Sequence, residues 1–219
     1  MQFEEIREKL LGLEVASLCD ADKQLRVMDP SIRPLRTGLK LIGKAFTLIC
    51  LHDHLTIMKA LQHALPGDVL VIDTRNSNRA VAGELFATEA LNKKLAGIVV
   101  DGGVRDTATL KTLPLPVYAR FSLPMSGTTQ NVFPTQIPVQ CGGVPVNPGD
   151  VIFGDDDGII AASLAELERI LPIAETIRAT EAAALAQMHK GASLLSLVNF
   201  KEHYEACKEG RESRLKFLA

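Results

Sequence analysis

The chain has no apolar run near the roughly 20 residues that cross a bilayer as a helix; segments such as Ile98 to Val100 and Ile159 to Ala162 are only a few residues long. A transmembrane helix is therefore excluded. An excess of positive charge is also missing, since 24 Lys and Arg stand against 26 Asp and Glu, for a formal net charge of -2. Without a global positive field to attract a phosphate backbone or anionic lipid, no nucleic acid and no membrane partner is expected. The N-terminus, Met1-Gln2-Phe3-Glu4-Glu5-Ile6, carries acids where a secretory leader has a basic start and an apolar centre. Export is not expected, and the location read from the sequence is cytoplasmic.

Paired cysteines are absent as well. Cys19, Cys50, Cys141 and Cys207 lie far apart with no CxxC spacing, so neither a disulfide framework nor a cysteine metal site is indicated, and they read as ordinary thiols. His52 and His54 would share one face of a strand, but no third ligand lies near them, and they read as loop or strand-end histidines. Gly102-Gly103 lacks the spaced third glycine of a dinucleotide loop, which also removes a methyltransferase-type cofactor loop. Asp155-Asp156-Asp157-Gly158 lacks the alternating ligands and terminal Glu of a calcium loop and reads as a turn between strands. Lys59, Lys93 and Lys94 fall in helical, solvated patterns, so no Schiff-base lysine stands out.

What is present is enough apolar material, 47% of 219 residues, to bury one core, and a single domain over residues 1–219 is expected. Phe3, Ile6, Leu10 and Leu13 recur at helical spacing, and a second helix is read over Val15 to Leu25 before Pro30 and Pro34, which makes the first forty residues helical and then irregular. Ala45 to Cys50, Leu55 to Leu65 and Val69 to Ile72 read as strand, helix, strand. A helix over Gly83 to Lys94 leads into a buried strand from Gly97 to Asp101. Gly102-Gly103 then reads as a turn, Asp106 as the N-cap of a short helix to Leu110, and Val117 to Ala119 as another strand. Beyond Phe121, Val144 to Val146, Val151 to Phe153 and Ile159 to Ala162 read as antiparallel strands. Pro66-Gly67 and Pro148-Gly149 both fit the centre of a type II turn that feeds a strand. Ser163-Leu164-Ala165-Glu166 is a capping box that opens a long helix to about Met188, and the tail from about 163 to 219 is helical, packed on its own core or on a neighbouring subunit. The fold class is α/β.

The chemistry concentrates in Gly83-Glu84-Leu85-Phe86 and in Gly97-Ile98-Val99-Val100-Asp101-Gly102-Gly103-Val104-Arg105-Asp106, with twenty residues between Glu84 and the Arg-Asp pair. Glu84 at a helix start and Arg105-Asp106 after the next strand would both lie at the C-terminal side of the sheet, where open α/β sheets bind ligands. Read singly, Asp106 is a helix cap and Arg105 a surface ion-pair partner. Read together with the strand ending in Asp101, they suit a hard-cation site with a cationic neighbour for an oxyanion.

With these motifs the chain resembles the RraA-like family, in particular its class II 4-hydroxy-4-methyl-2-oxoglutarate/4-carboxy-4-hydroxy-2-oxoadipate aldolase branch. The likeness runs from about Val15 to Gly191 and includes Gly154-Asp155-Asp156-Asp157-Gly158. It implies a single compact layered β/β/α domain with N- and C-terminal helices, assembled as a homotrimer or hexamer. It also implies a divalent-metal-dependent lyase that cleaves a 4-hydroxy-2-oxo acid to pyruvate through an enolate, with oxaloacetate decarboxylase activity. On that reading Asp106 binds Mg²⁺ or Mn²⁺, Glu84 acts on the metal through a water, and Arg105 contacts the 2-oxo oxygen. The backbone from Gly83 through Glu84 and Leu85 to Phe86 receives the substrate carboxylate. Asp20 and a neighbouring subunit's Glu181, or Glu175, would serve proton transfer. Glu84 stands where that branch usually has Asp, and Gln24 and Thr109 stand where it often has acids. The other function the resemblance allows is a non-catalytic binding protein of the ribonuclease E regulator type.

Overall fold

The computed structural model describes residues 1–218. The first half of the chain forms α1 (Phe3–Leu11), α2 (Val15–Ala21), β1 (Arg26–Val27), β2 (Arg33–Pro34), β3 (Leu41–Ile49), α3 (Leu55–His63), β4 (Asp68–Asp73), β5 (Ala80–Ala82), α4 (Glu84–Asn92) and β6 (Gly97–Val104). The second half forms α5 (Thr107–Leu110), β7 (Val117–Ser122), β8 (Val139–Cys141), β9 (Val144–Val146), β10 (Val151–Gly154), β11 (Ile159–Ala162), α6 (Leu164–Met188), α7 (Leu194–Leu197) and α8 (Phe200–Lys208).

One sheet runs β1-β11-β10-β3-β4-β6-β7-β2, with β5 added beside the end of β6. Strands β3, β4, β6 and β7 are parallel, and antiparallel strands flank them on both sides. The unbroken apolar runs in β4 and β6 follow from burial on both faces. Leu70, Ile72, Ile98 and Val100 pack against Ile57, Ala60 and Leu61 of α3 and Ala87 and Ala90 of α4. The alternate residues Val69, Val71 and Val99 face Tyr118, Ile152 and the β8–β9 hairpin through Val139, Cys141 and Val146. On the antiparallel half, Phe153, Ile160 and Ala162 point outward against Ile6 and Leu10 of α1, Leu18 of α2 and Leu167, Ile170 and Leu171 of α6. The expected β/β/α layering is present, with the sheet curled and helices on its flanks. No described helix is long and apolar enough to cross a membrane.

Local rules decide most boundaries. Both Pro-Gly pairs turn as read, with Gly67 at φ +88° and Gly149 at φ +82°. Each turn is closed by a backbone bond, Asp68 N–H to Leu65 carbonyl at 3.0 Å and Asp150 N–H to Asn147 carbonyl at 3.1 Å. The Ser163–Glu166 capping box forms at the start of α6. The acid run after β10 is a turn, closed by Asp155 N–H to the Gly158 carbonyl, and Asp155 Oδ2 accepts the Val15 N–H at 2.8 Å at the start of α2. Two expectations need correction. The second helix ends at Ala21 rather than Leu25, because Asp22 turns extended at φ -147° and its carboxylate takes the Gln24 N–H. Gly102-Gly103 is no turn: β6 continues through both glycines to Val104, since glycine gives no periodic signal but fits where Thr74 crowds Gly102 and Phe121 crowds Gly103. The tail folds back on the end of α6, with Asn199 binding the Arg214 carbonyl and the Lys216 N–H.

Asp53, almost fully buried, ties α3 to the segment 126–133. Its Oδ1 accepts the Leu55 N–H at 2.8 Å, and its Oδ2 accepts from Thr128 Oγ1 at 2.6 Å and from the Gln130 and Asn131 N–H groups. Burial alone would raise its pKa, but the Thr128 hydroxyl and the three amides prevail and hold it well below the usual carboxylate range. A carboxyl whose pKa is lower in the folded than in the unfolded state adds stability that is complete above about pH 4 and fades as the pH falls further. Asp53→Asn would turn an amide group toward those donors and is expected to cost about 1–3 kcal/mol at pH 7. The gap from wild type should narrow at pH 3; chemical denaturation at both pH values measures it, and a variant as stable as wild type at pH 7 contradicts the assignment.

Candidate active site

The site begins at an irregularity in β6. Between Val100 and Gly103 three steps on β6 match two on β7, a bulge that bends the strand where it leaves the sheet. Beyond it β5 pairs with Gly103 and Val104, and the Arg105 N–H extends this pairing to the Ala82 carbonyl at 3.0 Å. The first residues of α4 are thereby held against Arg105 and Asp106. At the junction sits Gly83, where a Cβ would overlap Asp106 Oδ2 and press on Arg105 Cγ.

Asp106 occupies the left-handed region at φ +57°, ψ +37°. A non-glycine residue there costs on the order of 1 kcal/mol, less for Asp than for most side chains. The side chain does not cap α5 as a simple N-cap reading requires; only its backbone carbonyl serves that helix, accepting from Thr109 and Leu110. The carboxylate turns back instead, so that Oδ2 accepts the Glu84 N–H at 3.2 Å and lies 3.4 Å from Arg105 Nε. Oδ1 has no partner among the described residues. With Gly83 as its N-cap, α4 has no side-chain cap of its own; Asp106 takes the Glu84 N–H, and the Leu85 and Phe86 N–H groups have no protein acceptor among the described residues. Two free amides at a helix N-terminus form an anion site.

These groups share a cavity of about 90 Å³ walled by Val81, Ala82, Gly83, Leu85, Phe86, Arg105 and Asp106, with His54 and Ser126 closing it. On the other side of the Arg105–Asp106 pair a more open lobe of about 350 Å³ is lined by Thr107, Ser122, Leu123 and Pro124. Gly83, Leu85, Phe86, Arg105 and Asp106 thus come together as expected. Glu84 contributes its backbone, while its side chain lines neither lobe.

Other expected members stand elsewhere. Asp101 faces away from the cleft and pairs with Arg120 while accepting the Gly142 N–H at 2.7 Å. It does not join Arg105 and Asp106 at the cleft, because the bulge and alternation along β6 turn it toward β7 and the β8–β9 hairpin. Asp20 pairs with Lys23, and Glu175 is held by Lys9 at 2.7 Å. Glu181 is exposed on α6. Helices α2 and α6 cover the antiparallel half of the sheet, so within one chain none of these three acids lines the cleft. Among the described residues no cluster of three or more His, Cys, Asp or Glu could hold a metal, which leaves Asp106 as the one direct carboxylate for a cation here. The two buried thiols read as inert: burial pushes Cys50 up to about 12 and Cys141 well above the ordinary value.

Sequence reasoning missed His54. His52 and His54 read as loop or strand-end histidines, as the structure has them: His52 turns at φ +54° with its Nδ1 2.8 Å from Ser77 Oγ, and His54, the residue before α3, lies on the cleft wall. Ser126 carried no sequence signal, since it arrives on a loop after β7. The role of Gly83 gives a test. Gly83→Ala is expected to displace the Asp106 carboxylate from the Glu84 N–H and to lower stability by about 1–3 kcal/mol. Chemical denaturation measures this, and a variant as stable as wild type contradicts the close packing at Gly83.

Known proteins share the sequence pattern and the fold. A protein of Halalkalibacterium halodurans that carries the provisional name 4-hydroxy-4-methyl-2-oxoglutarate aldolase is 34% identical over 168 residues, 76% of this chain and 80% of that one. The fold matches an uncharacterised protein of Pseudomonas syringae pv. tomato with a TM-score of 0.78 at 22% identity, over 87% of this chain and 91% of the other. It also matches the RNA-processing inhibitor RraA from Thermus thermophilis with a TM-score of 0.64 at 27% identity, over 68% and 92%. A family profile described as Aldolase/RraA matches residues 15–161, the stretch that builds both the parallel sheet and the cleft, and the chain therefore belongs to the RraA-like family.

Proposed function

We propose that this protein is a divalent-metal-dependent lyase that cleaves a 4-hydroxy-2-oxo acid, of the 4-hydroxy-4-methyl-2-oxoglutarate kind, to release pyruvate. The observation that carries the reading is the convergence of a carboxylate, a guanidinium and two free helix amides on one small cavity at Asp106, Arg105, Leu85 and Phe86. Aldolase names on curated relatives at 30–34% identity support a lyase.

The donor set fits Mg²⁺ or Mn²⁺. Both are hard cations that accept a single carboxylate and keep several waters, and Asp106 offers one unpartnered oxygen. Asp106 would hold the ion directly and Glu84, from outside both lobes, through a water. When bound, the ion supplies Lewis-acid stabilisation of the charge that develops on the 2-oxo acid. The chain's own residues do the rest. The Leu85 and Phe86 amides receive the substrate carboxylate at the positive end of α4. Arg105 lies against the 2-oxo oxygen, so that negative charge arriving there as the C3–C4 bond breaks meets a fixed guanidinium in a partly enclosed site. Oxaloacetate decarboxylation yields the same enolate without deprotonating a hydroxyl, and the same groups serve it. Assembly as a homotrimer or hexamer would be the way for a neighbouring subunit's Glu181, or Asp20, to approach the cleft.

A non-catalytic platform of the ribonuclease-regulator kind shares the fold and requires none of these arrangements. The left-handed Asp106 and the Cβ-free contact at Gly83 favour the enzyme, because strain of this kind persists where a site depends on it.

Pyruvate formation from 4-hydroxy-2-oxo acids and from oxaloacetate, followed by a coupled assay, is expected to require Mg²⁺ or Mn²⁺ and to vanish with chelator or in Asp106→Ala. Arg105→Lys keeps the charge but loses the planar fork, and kcat for both reactions should fall about 100-fold. Full turnover in chelated wild type or in Asp106→Ala contradicts the metal role, and a raised KM with unchanged kcat in Arg105→Lys contradicts charge stabilisation by Arg105.

A further inference from the structure

We propose that His54 moves the proton in this cleft, taking it from the substrate 4-hydroxyl as the C3–C4 bond breaks and returning it to C3 of the pyruvate enolate. The assignment rests on the lyase reading and supplies the base that the acids Asp20, Glu175 and Glu181 do not supply within one chain.

The backbone fixes this residue from both sides. Buried Asp53 precedes it, the His54 N–H donates to the Thr128 carbonyl at 2.9 Å, and its carbonyl receives the Ile57 N–H at 3.1 Å as α3 begins. The ring leans on Phe86 with centroids 5.5 Å apart and planes at 59°. It lines the same small cavity as Gly83, Arg105 and Asp106. Two other histidines spend a ring nitrogen on a serine, His52 on Ser77 and His203 on Ser213. His54 has no hydrogen-bond partner on either ring nitrogen among the described residues. Its neighbours in the cavity are not suited to the same work. Arg105 offers only donors, Ser126 is a weak base, and Asp106 already serves the Glu84 N–H and Arg105 and is the residue assigned above to the cation. An imidazole accepts a proton at one moment and donates it at the next.

The step balances without an oxidant or co-reactant. A ring nitrogen accepts the 4-hydroxyl proton, and the former O–H electron pair becomes the second bond of the C4 carbonyl. The C3–C4 pair becomes the C2–C3 double bond, while the C2–O π pair moves to oxygen as the enolate. The imidazolium then protonates C3, which gives pyruvate and restores neutral imidazole. Decarboxylation of oxaloacetate needs no proton removal, and solvent can protonate its enolate.

The test compares His54→Asn and His54→Gln with wild type in the presence of Mn²⁺, with three readouts: cleavage of 4-hydroxy-4-methyl-2-oxoglutarate, decarboxylation of oxaloacetate, and exchange of pyruvate methyl protons with D₂O followed by NMR. Asn is a favoured helix N-cap, so α3 keeps its start. Cleavage kcat is expected to fall about 100-fold or more and methyl exchange to be lost, while decarboxylation kcat falls at least about tenfold less and circular dichroism reports an intact fold. Equal losses in cleavage and decarboxylation, or cleavage and exchange near wild type, overturn the assignment. A wild-type protein that decarboxylates oxaloacetate but cleaves no 4-hydroxy-2-oxo acid overturns His54 as base while leaving the enolate site standing; one that does neither overturns the lyase reading itself.

Discussion

A Cβ at Gly83 would displace the Asp106 carboxylate and press on the Arg105 side chain, and the glycine lets two segments meet closely. One is the start of α4; the other is Arg105-Asp106, delivered by the bulged end of β6. Because they touch, the Asp106 carboxylate is fixed by the Glu84 N–H rather than by its own helix, and the next two amides of α4 remain open toward the cavity. The Asp106 carboxylate, the Arg105 guanidinium and the positive end of α4 then face the same small cavity. The left-handed backbone at Asp106 is tolerated because β5 pairing, the Arg105–Ala82 bond and the start of α5 hold the chain on both sides.

The sheet divides the labour of the molecule. Its parallel half ends in the cleft, and α3 and α4 carry residues to it; its antiparallel half is clamped by α1, α2 and α6 and carries the exposed acids. This division explains why Asp20 and Glu181 lie outside the cavity of their own chain, and why His54, seated on the same half as Arg105, is the proton carrier nearest to hand. Asp53 links the two requirements, since one buried carboxylate both starts α3 and secures the loop that brings Ser126 to the rim.

Much of this was legible in the residues. Apolar runs marked β4 and β6, Pro-Gly pairs marked the turns, and Ser163 with Glu166 marked the start of α6, because each rests on a local rule that tertiary packing did not override. The Gly83–Phe86 and Arg105–Asp106 segments also converged as read. What could not be read depended on long-range geometry. Glycines 102 and 103 carry no periodicity, so the continuation of β6 and its bulge were hidden, and with them the outward turn of Asp101. His54 reads as a loop or strand-end residue, and only the packing of α3 against α4 brings it beside Phe86 on the cleft wall.

In the proposed reaction a cation at Asp106 and the guanidinium of Arg105 would together stabilise a pyruvate enolate. Oxalate is a planar dianion that resembles that enolate, and a site built for it should bind oxalate more tightly than pyruvate. Calorimetric titration of oxalate tests this directly. Binding is expected in the presence of Mn²⁺, at least about a hundredfold tighter than pyruvate, and is expected to be lost on chelation or in Asp106→Ala and weakened in Arg105→Lys. Oxalate affinity that is the same with and without Mn²⁺, or unaffected by Asp106→Ala, would contradict it.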